Sequence, residues 1–401
     1  MSSATGTRGT GRSTITSTRR LLGVDAARAI ALIGMMATHL EPKIGGDGEV
    51  STAHLLAAGR ASALFALLAG VGIALASGGT TPPRGRGWAG SAAATAARAG
   101  VIFAVGLFLA AFDSGLAVIL CYYGVLFLVA LPVLPLRAGW LLGIGAAWTV
   151  LGPVLSQWLR HDDPMSLDVA VPNLVTLLTD PVGTASSVVL TGYYPVLTWT
   201  AYLLVGMGIG RLPLGRTAVA AAIAAGGTVL AVAAYAGSSR WLTGGGLAEL
   251  EAAGTGGHLT TGPIDADVLH VAFYGTTPTT TWSWLGIASP HSGAPPDLLQ
   301  TLGSALAVLG VMLLLERVTG RALWPVAAIG SMTFTLYTLH VVLVATLLPP
   351  ETDDALLIHV AIAAATAIPW RRYVGRGPLE ALAAAAARRA RQAVVDPSPA
   401  A

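Results

Sequence analysis

The chain has 401 residues, 54% hydrophobic and only 11% charged, with mean hydropathy +0.69 and net charge +3. Soluble chains carry about 25% charged residues, so a water-soluble globular protein is excluded and a polytopic membrane protein is expected. The single cysteine, Cys121, excludes an internal disulfide and any cysteine-built zinc site.

Residues 1–20, MSSATGTRGTGRSTITSTRR, lack the apolar core and cleavage site of a signal peptide and read as a disordered basic cytoplasmic tail. About ten apolar spans follow, near 22–41, 54–77, 90–112, 116–135, 139–158, 190–210, 217–237, 298–316, 323–347 and 355–370. The expected fold is an all-α transmembrane helix bundle over 21–380, with extracytoplasmic loops at about 159–189 and 238–297. Residues 381–401 read as a cytoplasmic C-terminal tail. In this arrangement seventeen arginines share one face, and only Lys43, Arg160 and Arg240 lie on the other. The positive-inside rule then places both termini in the cytoplasm. The second loop, rich in Gly, Thr, Pro and Trp (TGGGLAELEAAGTGG, TTPTTTWSWLG), reads as a folded lid. The abundance of Gly and Ala suits helices that approach closely in lipid.

The first span, RLLGVDAARAIALIGMMATHL, carries three ionisable residues, Asp25, Arg28 and His39. Helical geometry puts them on one face, with Asp25 roughly 21 Å along the axis from His39. Charged groups along one face of a span look into the bundle or a water-filled cavity. Asp25 and Arg28 also have the spacing of a local ion pair that anchors a helix end. The second span opens with His54 and places Arg60 too deep to snorkel comfortably, while Arg98 lies in the inner half of the third. In GSMTFTLYTLHVVLV, Thr333, Tyr337 and His340 follow helical spacing, and SPHSGAPPD puts His291 at the outer surface. His39, His54, His291 and His340 therefore fall at one depth, and histidine is the side chain that serves as a base near neutral pH. His161, His258, His270 and His359 read as loop or span-end residues. The sequence has no P-loop, no GxGxxG, no GxSxG and no local metal-ligand spacing, and its basic tails suit a lipid surface better than nucleic acid. These residues alone leave open a membrane enzyme, a transporter or channel with a charged interior, and a non-catalytic scaffold.

GVDAARAIALIGMMATHL resembles the first helix of the integral-membrane acyltransferases, which opens on Asp-x-x-Arg and ends in histidine. GSMTFTLYTLH resembles their late helix ending in Tyr-x-x-His. TGYYPVLTWTAYLLVGMGIGRL, SPHSGAPPDLLQTLGSALAVLG and RGPLEAL resemble bacterial relatives of the heparan-α-glucosaminide N-acetyltransferase catalytic domain. The resemblance implies a multi-pass cell-membrane protein that moves an acyl group, chiefly acetyl, from cytosolic acyl-CoA to a sugar or other acceptor outside. It implies no metal and no nucleic acid, and it is compatible with a homodimer. The lysosomal relative places its active histidine in a segment with Trp-Asn-Gly; here His54 is followed by LLAAGR, so His39 ranks first as base. His340 is its nearest rival, with His291 and His54 behind. Arg28 and Arg98 are the candidates for the CoA phosphates, with Asp25 orienting Arg28 and Arg60 steadying the thioester carbonyl. Tyr337 and Thr333 are the candidates for contact with substrate.

Overall fold

The apolar runs of the sequence become helices, and among the described residues there is no strand. The computed structural model describes residues 21–112, 114–161, 171–256, 264 and 266–395. The N-terminal tail, His258 and residues 396–401 lie outside the described residues. In chain order the helices are α1 (Leu22–Leu40), α2 (Thr52–Ala57), α3 (Arg60–Ala76), α4 (Gly85–Leu109), α5 (Leu120–Val133) and α6 (Ala138–Leu159). Next come α7 (Leu174–Thr179), α8 (Pro181–Ser186), α9 (Val196–Gly210), α10 (Thr217–Trp241), α11 (Leu247–Ala253) and α12 (Ala266–Val271). The chain closes with α13 (Pro295–Thr319), α14 (Trp324–Gly330), α15 (Thr333–Thr346), α16 (Ala355–Tyr373) and α17 (Pro378–Val395).

Five helical segments are long and apolar enough to cross a bilayer: Thr52–Ala76, Gly85–Leu109, Ala138–Leu159, Thr217–Ala253 and Pro295–Gly330. A sixth arises if Pro181–Thr191 and Val196–Gly210, bent by 52°, form one broken span. Large apolar side chains such as Leu151, Val154, Val229 and Val232 point outward from α6 and α10, as lipid-facing residues do. On α6 the exposed indoles of Trp140 and Trp158 stand eighteen residues apart. That is about 27 Å of rise, close to the hydrocarbon thickness of about 30 Å that interfacial tryptophans bracket.

The run that reads as a single span near 54–77 stays one apolar segment, Thr52–Ala76, whereas the one near 323–347 is broken. The first is interrupted locally at Gly59, whose φ of +70° is costly for any residue with a Cβ. The second breaks at Ser331–Met332, between α14 and α15. The C-terminal stretch that reads as a tail is instead helical through Val395 and packs along α4.

Apolar on all sides, α9 is buried almost throughout and forms the axis of the bundle against α3, α5 and α6. Glycine permits the closest approaches. A Cβ on Gly227 would stand 2.6 Å from the Gly303 carbonyl oxygen of α13, and one on Gly210 would stand 2.8 Å from the Val71 oxygen of α3. At the end where α3, α5 and α9 terminate, the buried Arg211 guanidinium ties them together. It donates to the carbonyls of Ala74 (2.9 Å), Gly79 (2.9 Å) and Leu134 (2.7 Å), and to Ser77 Oγ (3.0 Å). The carbonyls lie at or just past the C-terminal ends of α3 and α5, where helices leave acceptors to be satisfied.

At the opposite end, the second long loop has a small core of its own, with Leu250, Leu269, Phe273 and Ile287 around a fully buried Trp284. Arg160 Nη1 donates to Thr277 O (2.8 Å), Gln157 Nε2 to Thr281 O (2.7 Å) and Lys43 Nζ to Val271 O (3.2 Å). These bonds fasten the loop across the end of the bundle at which α1 finishes.

Candidate active site

His39 sits in the last turn of α1, His340 in the middle of α15 and His359 in the second turn of α16. Their imidazoles form one chain. His39 Nδ1 is 3.1 Å from His340 Nε2, His340 Nδ1 is 3.0 Å from His359 Nδ1, and His359 Nε2 is 3.1 Å from the Leu348 carbonyl oxygen. A carbonyl can only accept, so Nε2 of His359 carries a hydrogen and, in the neutral ring, its Nδ1 accepts. His340 then donates from Nδ1 and accepts at Nε2, which requires His39 to donate from Nδ1. The sequence of bonds leaves the lone pair of His39 on Nε2. That nitrogen forms no hydrogen bond to a described residue, and the ring is partly exposed. The tautomer of His39 is thus set by the two rings behind it, leaving an imidazole lone pair that could accept a proton.

The other two histidines stand close by. His54 lies within electrostatic range of His39, and its Nδ1 is buried with no partner among the described residues. His291 accepts a hydrogen bond at Nε2 from the Gly59 backbone (3.2 Å) and packs against the rings of Tyr193 and Tyr194. Its φ of +61° is a left-handed conformation uncommon outside glycine, of the kind that clusters at functional sites. Arg60 binds Leu55 O through Nη1 (2.5 Å), and with the Gln300 amide turned to donate to Ala288 its Nη2 meets the Gln300 oxygen at 2.6 Å. Arg60 thereby holds α2 and α13 together at the edge of the histidine cluster.

Outside the spans, burial, the Lys43 charge, and then His54 and His39 push the His291 imidazole down to about 3. An unfolded histidine protonates near 6.5, so between about 6.5 and 3 the unfolded chain binds the extra proton. Stability attributable to His291 is therefore full above that window and falls as pH falls through it. Melting curves from pH 7 to pH 4 should show His291→Asn losing less stability than wild type, because asparagine tolerates the same φ and does not titrate. Parallel acid profiles for the two proteins would show that another group controls the loss.

At the other end of α1, Arg28 pairs with Asp25 (3.3 Å). Its guanidinium lies against Gly72, where a Cβ would stand 2.8 Å from Nη2. Arg28, Thr333 and Tyr337 line one cavity of about 160 Å³, otherwise walled by apolar residues such as Met35, Phe65 and Phe334. Met35 is four residues before His39, and Tyr337 is three before His340. The cavity thus runs from a cation at one end to about one helical turn short of the histidine chain. The Tyr337 hydroxyl accepts from the Ile119 amide (3.2 Å), fixing that wall. Arg98 does not line this cavity; it lines a second one farther along α4, beside α17, and stays within electrostatic range of Arg28. His359, which reads from sequence as a span-end residue, is buried inside the relay, and nothing local in ALLIHVAIA marks it. His270 lines a separate cavity with Tyr235 and Ser238, away from these contacts.

No curated protein matches the chain in sequence. The family of heparan-alpha-glucosaminide N-acetyltransferase catalytic domains matches residues 20–241. The matched region runs from α1 through α10 and contains Asp25, Arg28, His39, His54, Arg60 and Arg98, whereas His291, Tyr337, His340 and His359 lie beyond it. With more than half of its length matched on an all-helical fold with apolar spans, the chain belongs to the heparan-alpha-glucosaminide N-acetyltransferase catalytic family and is a membrane acetyltransferase-like protein.

Proposed function

We propose that the protein transfers an acetyl group from cytosolic acetyl-CoA to a hydroxyl or amine of an acceptor, a sugar or a small metabolite, at the extracytoplasmic end of a ten-span bundle with both termini in the cytoplasm. The observation that carries this reading is the histidine chain standing one turn beyond a cavity with Arg28 at its mouth. Arg28 is placed to meet donor phosphate, and the apolar walls suit the thioester arm. The acceptor enters from the end under the folded lid. His39 Nε2 takes the acceptor proton as its oxygen or nitrogen attacks the thioester carbonyl, and the C–S bond breaks. The CoA thiolate leaves and is protonated, giving the acetylated acceptor and free CoA. Lys43, within electrostatic range of His291, and His54, within range of His39, are the groups assigned to steady the developing oxyanion.

The test is acetyl-CoA consumption by the purified full chain, with sugar amines and alcohols as acceptors. His359→Leu separates the relay from simple packing. It should leave the KM for acetyl-CoA unchanged and lower kcat roughly 10- to 100-fold, because it removes only the group that orients the base through His340. An unchanged kcat would remove the relay from the mechanism. A total absence of acetyl-CoA consumption by wild type with every acceptor would remove the transferase reading.

A further inference from the structure

The last helix carries a second feature, apart from the histidine chain and the cavity at Arg28. Its sequence, PLEALAAAAARRARQAVV, is a run of alanines followed by arginines. Ala383 and Ala387 are buried, and α17 lies along α4. Gly90 of α4 makes that contact possible at its far end, since a Cβ there would stand 2.6 Å from Val395 Cγ2 and 3.3 Å from Arg391 Cγ. Between the two helices, beside the end of α3, is a cavity of about 250 Å³ lined by Arg98, Arg376, Arg388 and Arg391. Among the described residues no carboxylate lines it, and none of the four guanidiniums forms an ion pair with a described residue.

Four guanidiniums gathered around one cavity repel one another, and carboxylates normally relieve that repulsion. Here the one carboxylate of α17 is used elsewhere. Glu380 turns to the N-terminus of α15, where Oε1 accepts from the Phe334 amide (2.8 Å) and the Thr335 amide (3.1 Å), and Oε2 takes the Thr335 hydroxyl (2.5 Å). Trp370 Nε1 holds the Arg376 carbonyl (2.9 Å), fixing the turn that brings Arg376 to the cavity. The cationic group is therefore built by tertiary contacts and left without internal compensation.

We propose that this cavity binds a ligand bearing two or more phosphate groups, which the four planar guanidiniums would take in bidentate, charge-assisted bonds. Two sources share that chemistry: the phosphorylated nucleotide end of a coenzyme and the head group of an anionic phospholipid. The nucleotide source rests on the acetyl-CoA reading above; the phospholipid source does not.

The experiment uses the full chain and the R388Q/R391Q variant, both exposed positions whose replacement should leave the ligand-free melting temperature unchanged. Adenosine 3′,5′-bisphosphate binding is measured by calorimetry in detergent. Retention of cardiolipin, whose head group carries two phosphates, is compared with retention of phosphatidylcholine in nanodiscs. At least tenfold weaker binding of one probe to R388Q/R391Q, restored in large part by R388K/R391K, assigns the site and identifies its source. Equal binding of both probes by wild type and variant, or binding of neither by wild type, overturns it. Acetyl-CoA consumption measured in parallel keeps the two readings apart. Transfer that persists without arginine-dependent phosphate binding removes this site and leaves the function; arginine-dependent lipid retention without transfer does the reverse.

Discussion

His39→Ala should slow acetyl transfer by about 10²- to 10⁴-fold, the range a positioned general base contributes. The size of the loss follows from the direction of the hydrogen bonds. Leu348 O can only accept, His359 and His340 have both nitrogens committed, and the lone pair left at the end of the chain is on His39 Nε2. Among the rings of the relay, His39 is the one with a nitrogen left unbonded to a described residue. The donor's affinity should be nearly unchanged, because Arg28 lies eleven residues, roughly 16 Å of helix, from the substitution. A fall in kcat with constant KM, measured as CoA release, is the expected pattern. If His54→Ala abolished turnover and His39→Ala did not, the base would be His54, and its unpartnered Nδ1 would be the group in question.

Gly330→Ala should be the most destabilising single-methyl change in the bundle. A Cβ at position 330 would overlap the Asp25 carbonyl oxygen and stand 2.7 Å from the Ala29 nitrogen, both backbone atoms of α1. No rotamer relieves a clash between two backbones, so α14 and α1 must separate. The cost should exceed the about 1–3 kcal/mol typical of overpacking. Separation there also moves Arg28 and the mouth of its cavity. Detergent-extracted G330A should therefore melt far below wild type or elute as aggregate. A melting temperature equal to wild type would mean that the two helices are looser than their packing indicates. Gly226→Ala is the matched control, since a Cβ there meets nothing within 4 Å.

Hydropathy alone marks where helices form, because a bilayer obliges each apolar run to satisfy its own backbone hydrogen bonds. It does not mark the breaks at Gly59 and Ser331–Met332, which depend on partners distant in sequence such as His291 and Glu380. The same limit separates the site residues. His39 and His340 are legible because each ends an apolar helix motif, and Arg28 because it shares the face of α1 with His39. His359 is not, since its role comes from a ring nineteen residues away and a carbonyl eleven away. Arg98 has the depth of a partner to Arg28, but α4 turns it toward α17, and periodicity gives no hint of which neighbour a helix face will meet. The C-terminal helix was hidden for the opposite reason. Its alanines and arginines read as a cytoplasmic tail, and sequence alone does not show that Gly90 receives it.

The histidine chain joins α1 to α15 and α16, so its first member is synthesised some three hundred residues before the other two. While a ribosome delivers this protein to the membrane, His39 enters the bilayer with neither partner present. The hydrogen-bonded imidazole chain exists only after the sixteenth helix has been threaded back against the first. A nascent or C-terminally clipped chain would carry Arg28 but not the oriented His39 imidazole. On the function proposed above, the fold would thereby delay chemistry until assembly is complete.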